Sequence, residues 1–369
     1  MIYLDHAATT HPLESAKAAV LRSFEVFGNP SSAHKAGILA EKELTASRQA
    51  LAKVVGANPG EIIFTSSGTE GNNLVFSGCV RKHKGRRIIT TKAEHPSLLK
   101  PLQALEGMDV FYLPLSQGGA ICQTALKDAL SEPTCLVSIH HVHNETGVIQ
   151  DIAAIGRIIK ETSPDTLFHV DAAQSFCKIP INVNDAKIDL LTTSAHKIGG
   201  LRGSGFLYLR GGIHCASALV GGGQEFGLRS GTENMTGIMA FAAAAENFQQ
   251  IDDGSKSAFL GNLDLEGVVV NGEHTSPYIL NVSVEGVRPE VLLNALSEEG
   301  ICISAGAACS ANKKQKAAAS AVLTAYGLGS KRAETAVRLS FAHSNTLEEM
   351  TQAARAFTQI VTSLRKVRG

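Results

Sequence analysis

Neither charge is in excess in this chain: 34 lysines and arginines face 34 aspartates and glutamates. A balanced surface argues against nucleic acid or an anionic membrane as the main partner. The basic stretch from Arg81 to Arg87 reads as a solvated loop for the same reason. The seven cysteines, at 79, 122, 135, 177, 215, 302 and 309, are scattered and contain no Cys-x-x-Cys pair. That spacing excludes a disulfide framework and a structural zinc site, and it fits a reducing cytoplasm. No apolar run reaches the length needed to span a bilayer. Met1-Ile2-Tyr3-Leu4-Asp5 has neither a basic nor an apolar leader region, so no signal peptide is expected. Internal repeats and low-complexity segments are also lacking.

What is there is a chain of 369 residues, enough for two packed domains. Short bulky runs near 61–65, 86–90, 109–113, 135–139, 166–171, 188–193 and 204–209 alternate with helical stretches, among them 33–55, 69–82, 123–131 and 151–162. This alternation predicts an α/β fold with a mostly parallel central sheet and helices on both faces, over residues 1–250. An extended start is followed by a helix ending at Gly28-Asn29-Pro30, and residues 1–30 are expected to pack on the second domain. That domain, 251–369, reads as a smaller α+β unit, with strands near 267–270, 277–284 and 336–341 and helices near 289–299, 317–326 and 346–367.

Three stretches carry chemistry. Ile188 to Leu191 is a buried-type strand leading through Thr192-Thr193-Ser194 to His196-Lys197 and a glycine-rich run. A lysine so placed is costly to bury unpaired. Phe168-His169-Val170-Asp171 ends a second apolar strand in a carboxylate. Glu61 to Thr65 runs into Ser66-Ser67-Gly68-Thr69-Glu70, a small-residue turn opening a helix, where backbone N–H groups favour a phosphate. Each alone is a commonplace: an exposed lysine, a helix-capping aspartate, a turn. Together they meet the needs of pyridoxal phosphate, namely a lysine to hold it, a carboxylate for its ring nitrogen and a cradle for its phosphate. The cluster His140-His141-Val142-His143 has no acidic or cysteine partner at a metal-site spacing, so it reads as structural or as a neighbour of the cofactor.

Several motifs occur in one order along the chain: Tyr3-Leu4-Asp5-His6-Ala7-Ala8-Thr9-Thr10, Gly28-Asn29-Pro30-Ser31-Ser32, Thr65 to Glu70, Ala93-Glu94-His95, Asn144-Glu145-Thr146-Gly147, His169 to Gln174, Ser194 to Lys197, Gly227 to Asn234, Ala308-Cys309-Ser310 and Arg338-Leu339-Ser340. In these the chain resembles the cysteine desulfurases of the class V aminotransferase family, over nearly its whole length. The resemblance implies a fold type I pyridoxal-phosphate enzyme acting as a homodimer on L-cysteine. It implies that Lys197 holds the cofactor and moves protons, that Asp171 pairs with the ring nitrogen and that His95 is a catalytic residue lying over the ring, placed for stacking and proton transfer. Asn144 and Gln174 would face the phenolic oxygen. Gly68, Thr69, Ser194 and His196 would bind the phosphate, joined by Thr232 from the partner subunit. Arg338, with Asn144, would hold the substrate carboxylate.

Cys309 would take the sulfur as a persulfide and pass it to an iron–sulfur scaffold or another acceptor protein. Its polar, basic neighbourhood through Lys316 favours the thiolate, whereas Cys302 lies in an apolar strand. A selenocysteine lyase or another class V aminotransferase or lyase uses the same residues, and Cys309 in its loop favours the desulfurase over an aminotransferase. A non-catalytic binding protein is disfavoured because Lys197, Asp171, Cys309 and Arg338 are all retained. The chain departs from the family pattern at Phe226, where arginine is usual, and at Ala305 and Ala307, which replace hydroxyl residues. His6 stands where asparagine is frequent, and 250–265 is short. None of these departures removes a catalytic group.

Overall fold

The computed structural model describes residues 1–80, 87–305 and 320–366, so residues 81–86 and Cys309 lie outside the described residues. Strands β1 (Ile2–Tyr3), β2 (Ile62–Thr65), β3 (Arg87–Thr91), β4 (Asp109–Leu113), β5 (Thr134–His140), β6 (Leu167–Asp171), β7 (Leu190–Thr192) and β8 (Gly205–Leu209) occupy the first part of the chain. The rest carries β9 (Val268–Val270), β10 (Ile279–Val284), β11 (Ile301–Cys302), β12 (Ser304–Ala305) and β13 (Ala336–Ser340).

Seven strands form one sheet in the order β2-β8-β7-β6-β5-β3-β4. Strands β3 to β7 pair in parallel, and β8 alone runs against its neighbours β7 and β2. Strands β2, β5, β6, β7 and β8 are buried on both faces because both faces are covered. Alternate residues sort into two cores: Ile62, Phe64, Val137, Leu191 and Phe206 face one, while Ile63, Leu136, Leu190 and Leu207 face the other. The first core is closed by helices Lys35–Val55, Ile152–Thr162 and Met235–Glu246, and the second by Gly68–Leu74 with its π-turn Val75–Cys79 and by Pro96–Gln103. The architecture is therefore mixed α/β around a mostly parallel sheet.

A second sheet, β12-β13-β10-β9, is antiparallel throughout. With helices Pro289–Glu298 and Leu347–Lys366 it buries a separate core containing Phe259, Leu292, Met350 and Phe357. The chain start joins this unit, as Ile2 and Tyr3 pair with Ile301 and Cys302, and Leu4 enters its core. The next helix, Glu14–Ser23, packs instead on Met235–Glu246. It stops short of the expected Gly28. Ser23 Oγ donates to the Val20 carbonyl, and the following N–H groups of Phe24, Glu25 and Val26 tighten to i−3 carbonyls, which unwinds the α-helix. Among the described residues no helix is long and apolar enough to cross a membrane.

Gly156 tests how tightly these layers fit. In a helix interior, Gly→Ala ordinarily gains about 1 kcal/mol. Here a Cβ would run into the Ala186 carbonyl oxygen and approach Phe168, both fixed parts of the core. Gly156→Ala is expected to lower the denaturant midpoint by the equivalent of about 1–3 kcal/mol. An unchanged or raised midpoint would show that the helix can lift away from the sheet.

Candidate active site

Six of the seven central strands run one way, so the segments leaving β2, β3, β5, β6 and β7 all emerge at one edge of the sheet, where ligands of open α/β sheets sit. A cavity of about 400 Å³ opens there. Into it come Gly68 and Thr69 after β2, His95 after β3, Asn144 after β5, Asp171 and Gln174 from the end of β6, and Ser194, His196 and Lys197 after β7. Arg338 reaches the same cavity from β13 of the other sheet. Of the residues singled out in the sequence, Thr232 does not line it. Thr232 is exposed on the turn before helix Met235–Glu246.

Lys197 ends a short 3₁₀ turn, Ala195–Lys197, that comes after β7. Its Nζ donates to the carbonyls of Ala7 (2.6 Å) and Ala8 (2.8 Å). The chain start is thus held against the lysine, and Gln174 Nε2 donates to the same Ala7 oxygen at 2.8 Å. Asp171 is buried, with Oδ1 accepting from Ala173 N–H (3.0 Å) and Oδ2 from Asn72 Nδ2 (2.9 Å). Asn72 was invisible as a site residue in the sequence. It stands one turn into the helix after the glycine turn, where only the register of helix on sheet brings it under Asp171.

Behind Asp171, Ser138 Oγ, His169 and Thr192 Oγ1 form a buried chain, with 2.7 and 3.0 Å between partners. Burial lowers His169 to about 4. His196 is lowered to about 4 by desolvation first and by Lys197 second, so it is a neutral donor or acceptor at the cavity wall. Desolvation also holds His95 below the usual imidazole range, against the pull of Asp171. His140 and His143 both line the cavity, whereas His141 does not. No group of three or more metal-ligating side chains occurs among the described residues.

The guanidinium of Arg338 is buried and already engaged. Nη2 meets Asp5 Oδ1 at 2.7 Å, and Nη1 donates to the Asn144 carbonyl at 2.8 Å, while the buried Nε has no hydrogen-bond partner among the described residues. Asp5 is the second functional neighbour that sequence reasoning missed, since it lies 333 positions from its partner.

Away from the cavity, Arg48 and Glu225 form a bidentate buried pair, each bond 2.8 Å, and Glu225 also accepts the Phe64 N–H at 2.7 Å. The Arg48 guanidinium lies over the rings of Phe64 (4.6 Å) and Phe226 (5.1 Å). Phe226, the departure from the family pattern, thus stacks on a cation, with φ of 58° beside Glu225 at 47°. Arg229 further along this loop pairs with Glu70 at 2.9 Å.

Fold and cavity define the class: a covered α/β sheet whose carboxyl edge gathers a lysine, an aspartate and an arginine at one site. The chain belongs to the aminotransferase class-V family, whose model matches residues 2–352. It is 40% identical to the cysteine desulfurase IscS of Vibrio campbellii, over 99% of this chain and 93% of that one. Among solved structures it resembles a NifS-like protein with TM-score 0.89 and 32% identity, over 98% and 99% of the two chains. It also resembles SspA in complex with cysteine, with TM-score 0.84 and 34% identity, over 94% of this chain and 100% of that one.

The pairing of Asp5 with Arg338 gives a direct test. Asp5→Ala leaves the buried guanidinium short of its counter-charge and is expected to cost about 3 kcal/mol of stability. Asp5→Ala combined with Arg338→Met should recover most of that loss in a denaturation double-mutant cycle. Additive losses would mean that the two side chains act independently.

Proposed function

We propose that the chain is a pyridoxal-phosphate-dependent cysteine desulfurase. It converts L-cysteine to L-alanine and leaves the sulfur on Cys309 for an iron–sulfur scaffold or another acceptor protein. The observation that carries this reading is the convergence of Lys197, Asp171 and Arg338 on one cavity. The residues present fit the cofactor. A buried carboxylate, Asp171, faces the cavity to pair with a ring nitrogen, and Ser67, Gly68, Thr69, Ser194 and His196 offer donors for a phosphate. Gln174 Oε1 is a buried polar atom at the cavity with no hydrogen-bond partner among the described residues.

When bound, the cofactor supplies an electron sink for charge developing at the substrate α-carbon. The chain's own residues do the rest. Arg338, which lines the cavity, receives the substrate carboxylate. The Lys197 amine takes the α-proton and can return it. The Cys309 thiolate attacks the substrate sulfur: the new S–S bond forms, the substrate Cβ–S bond breaks, and the electron pair left on the substrate collects a proton to yield alanine. Lys313, Lys314 and Lys316 in the same segment favour the thiolate.

The reading extends to a homodimer in which the exposed Thr232 reaches the partner's phosphate site, to a cytoplasmic setting, and to a division into domains 1–250 and 251–369. The two separate apolar cores support that division.

Borohydride reduction of the cofactor-loaded protein followed by peptide mapping is expected to mark Lys197; a mark on another lysine would overturn its role. With a thiol reductant present to release the persulfide's outer sulfur as sulfide, Cys309→Ala should keep the cofactor's colour while sulfide and persulfide formation from L-cysteine fall by about two orders of magnitude or more. Alanine and sulfide made at the parent rate by that variant would replace the desulfurase reading with a lyase.

A further inference from the structure

A second cavity, of about 590 Å³, opens where the chain start meets the segment after helix Met235–Glu246 and the ends of β10 and β13. Among the described residues only Lys197 lines both this cavity and the site cavity. Lys178 stands in the wall of the second cavity alone, although Gln174, four residues earlier, lines the first.

The Lys178 ammonium lacks what an interior ordinarily provides for a cation. The residue is 6% exposed, and its Nζ makes no hydrogen bond or ion pair among the described residues. Unlike His6 Nε2 and Arg338 Nε, which are sealed off, that Nζ keeps contact with open space. Its neighbour is the ring of Tyr278, 5.2 Å to the centroid, which lines the same cavity. A ring face attracts a cation but brings no counter-charge.

The other neighbours bring none either. Lys197 and Arg338 both oppose the charge on Lys178. The Cys177 thiol beside it stays protonated, pushed up to about 12 by burial. His6, lowered to about 4 by desolvation first and by Lys178 second, is neutral. The one carboxylate lining the cavity among the described residues, Glu14, lies at its exposed rim and is bonded to Lys17 at 2.7 Å. His11 and His343 add imidazoles that can each donate a hydrogen bond. With no anion at hand, desolvation lowers Lys178 to about 7, so about half of the molecules carry the charge near neutrality.

The rest of the wall is largely apolar. Phe248, Tyr278 and Phe341 contribute rings, and Leu13 and Ile198 aliphatic side chains. One buried cationic nitrogen among such walls matches an anion of a single charge on an apolar body. A dianion would bring a second charge into the same surroundings uncompensated.

We propose that this cavity is a second binding site, for a small monocarboxylate whose carboxylate accepts from Lys178 Nζ and whose apolar body packs on Phe248, Tyr278 and Phe341. The site stands apart from the desulfurase reading, since Arg338 lines only the other cavity. The ligand supplies the counter-charge that the fold omits, so anion and proton are taken up together. Affinity is therefore full below about pH 7 and is lost as pH rises and the empty site's amine gives up its proton.

The test uses cofactor-loaded protein and benzoate, which is anionic from about pH 6 to about pH 9. Calorimetric titration should show the Kd rising about tenfold per pH unit above about pH 7. Lys178→Met keeps the side chain's length, removes its charge and should weaken binding about 30-fold or more near pH 6. Crystals soaked in para-bromobenzoate should place the bromine among Phe248, Tyr278 and Phe341. Bromine beside Arg338 alone, an unchanged Kd in Lys178→Met, or binding at crystal concentration only overturns the proposal. If Lys178→Met fails to fold, the parent decides: a pH-independent Kd or bromine outside this cavity overturns the site. A parent that takes up no pyridoxal phosphate overturns the desulfurase reading and leaves this one to the same titration on the protein as purified.

Discussion

A buried guanidinium must be compensated where it stands, and Arg338 meets that demand with groups from two separate parts of the chain. It sits in β13, where it faces Asn281 of β10 and Ser304 of β12. Its charge draws in Asp5 from the chain start and the Asn144 carbonyl from the edge of the large sheet. Once Asp5 is fixed, the residues after it have little freedom. Ala7 N–H donates to Ser340 Oγ at 2.8 Å, and the Ala7 and Ala8 carbonyls come to lie against Lys197. The position of Lys197 therefore depends on an ion pair formed on the other side of the cavity, by a different sheet.

The cavity's electrostatics derive from this crowding of cations. Lys178, buried among them with its Nζ 5.2 Å from the Tyr278 ring centroid, is lowered to about 7 by desolvation first and by Lys197 second. Desolvation and neighbouring positive charge both favour the neutral form of the Lys178 amine. Asp171, Asp5 and Glu94 offset part of that charge at three separate points rather than at one.

Much of this was legible in the sequence. The central strands could be read because they are apolar on both faces, Asp171 because it ends such a strand and Lys197 because it follows one. The helix after the chain start was drawn too long, since its apolar spacing says nothing of the Ser23 hydroxyl that turns back on the backbone. Asn72, Asp5 and the Glu94–His140 pair could not be assigned, because their partners lie 99, 333 and 46 positions away. An ordinary polar residue becomes a site residue only through packing register, and register is what local pattern does not contain. The motif carrying Ala93-Glu94-His95 drew attention to the histidine, while the glutamate beside it holds the His140 imidazole.

Glu225 has a consequence for how the molecule tolerates change. It is buried beneath an exposed loop, and its carboxylate holds both Arg48 and the backbone of β2 two residues before the Ser66-Ser67 turn. Phe226 next to it is 62% exposed and meets Arg48 only through its ring face. The outer surface of this loop can therefore be rewritten, toward a different neighbour or a different solvent, while its inner residue keeps the same grip on the sheet. Within one turn of chain, an outer surface and a buried anchor are separately adjustable, divided between adjacent residues.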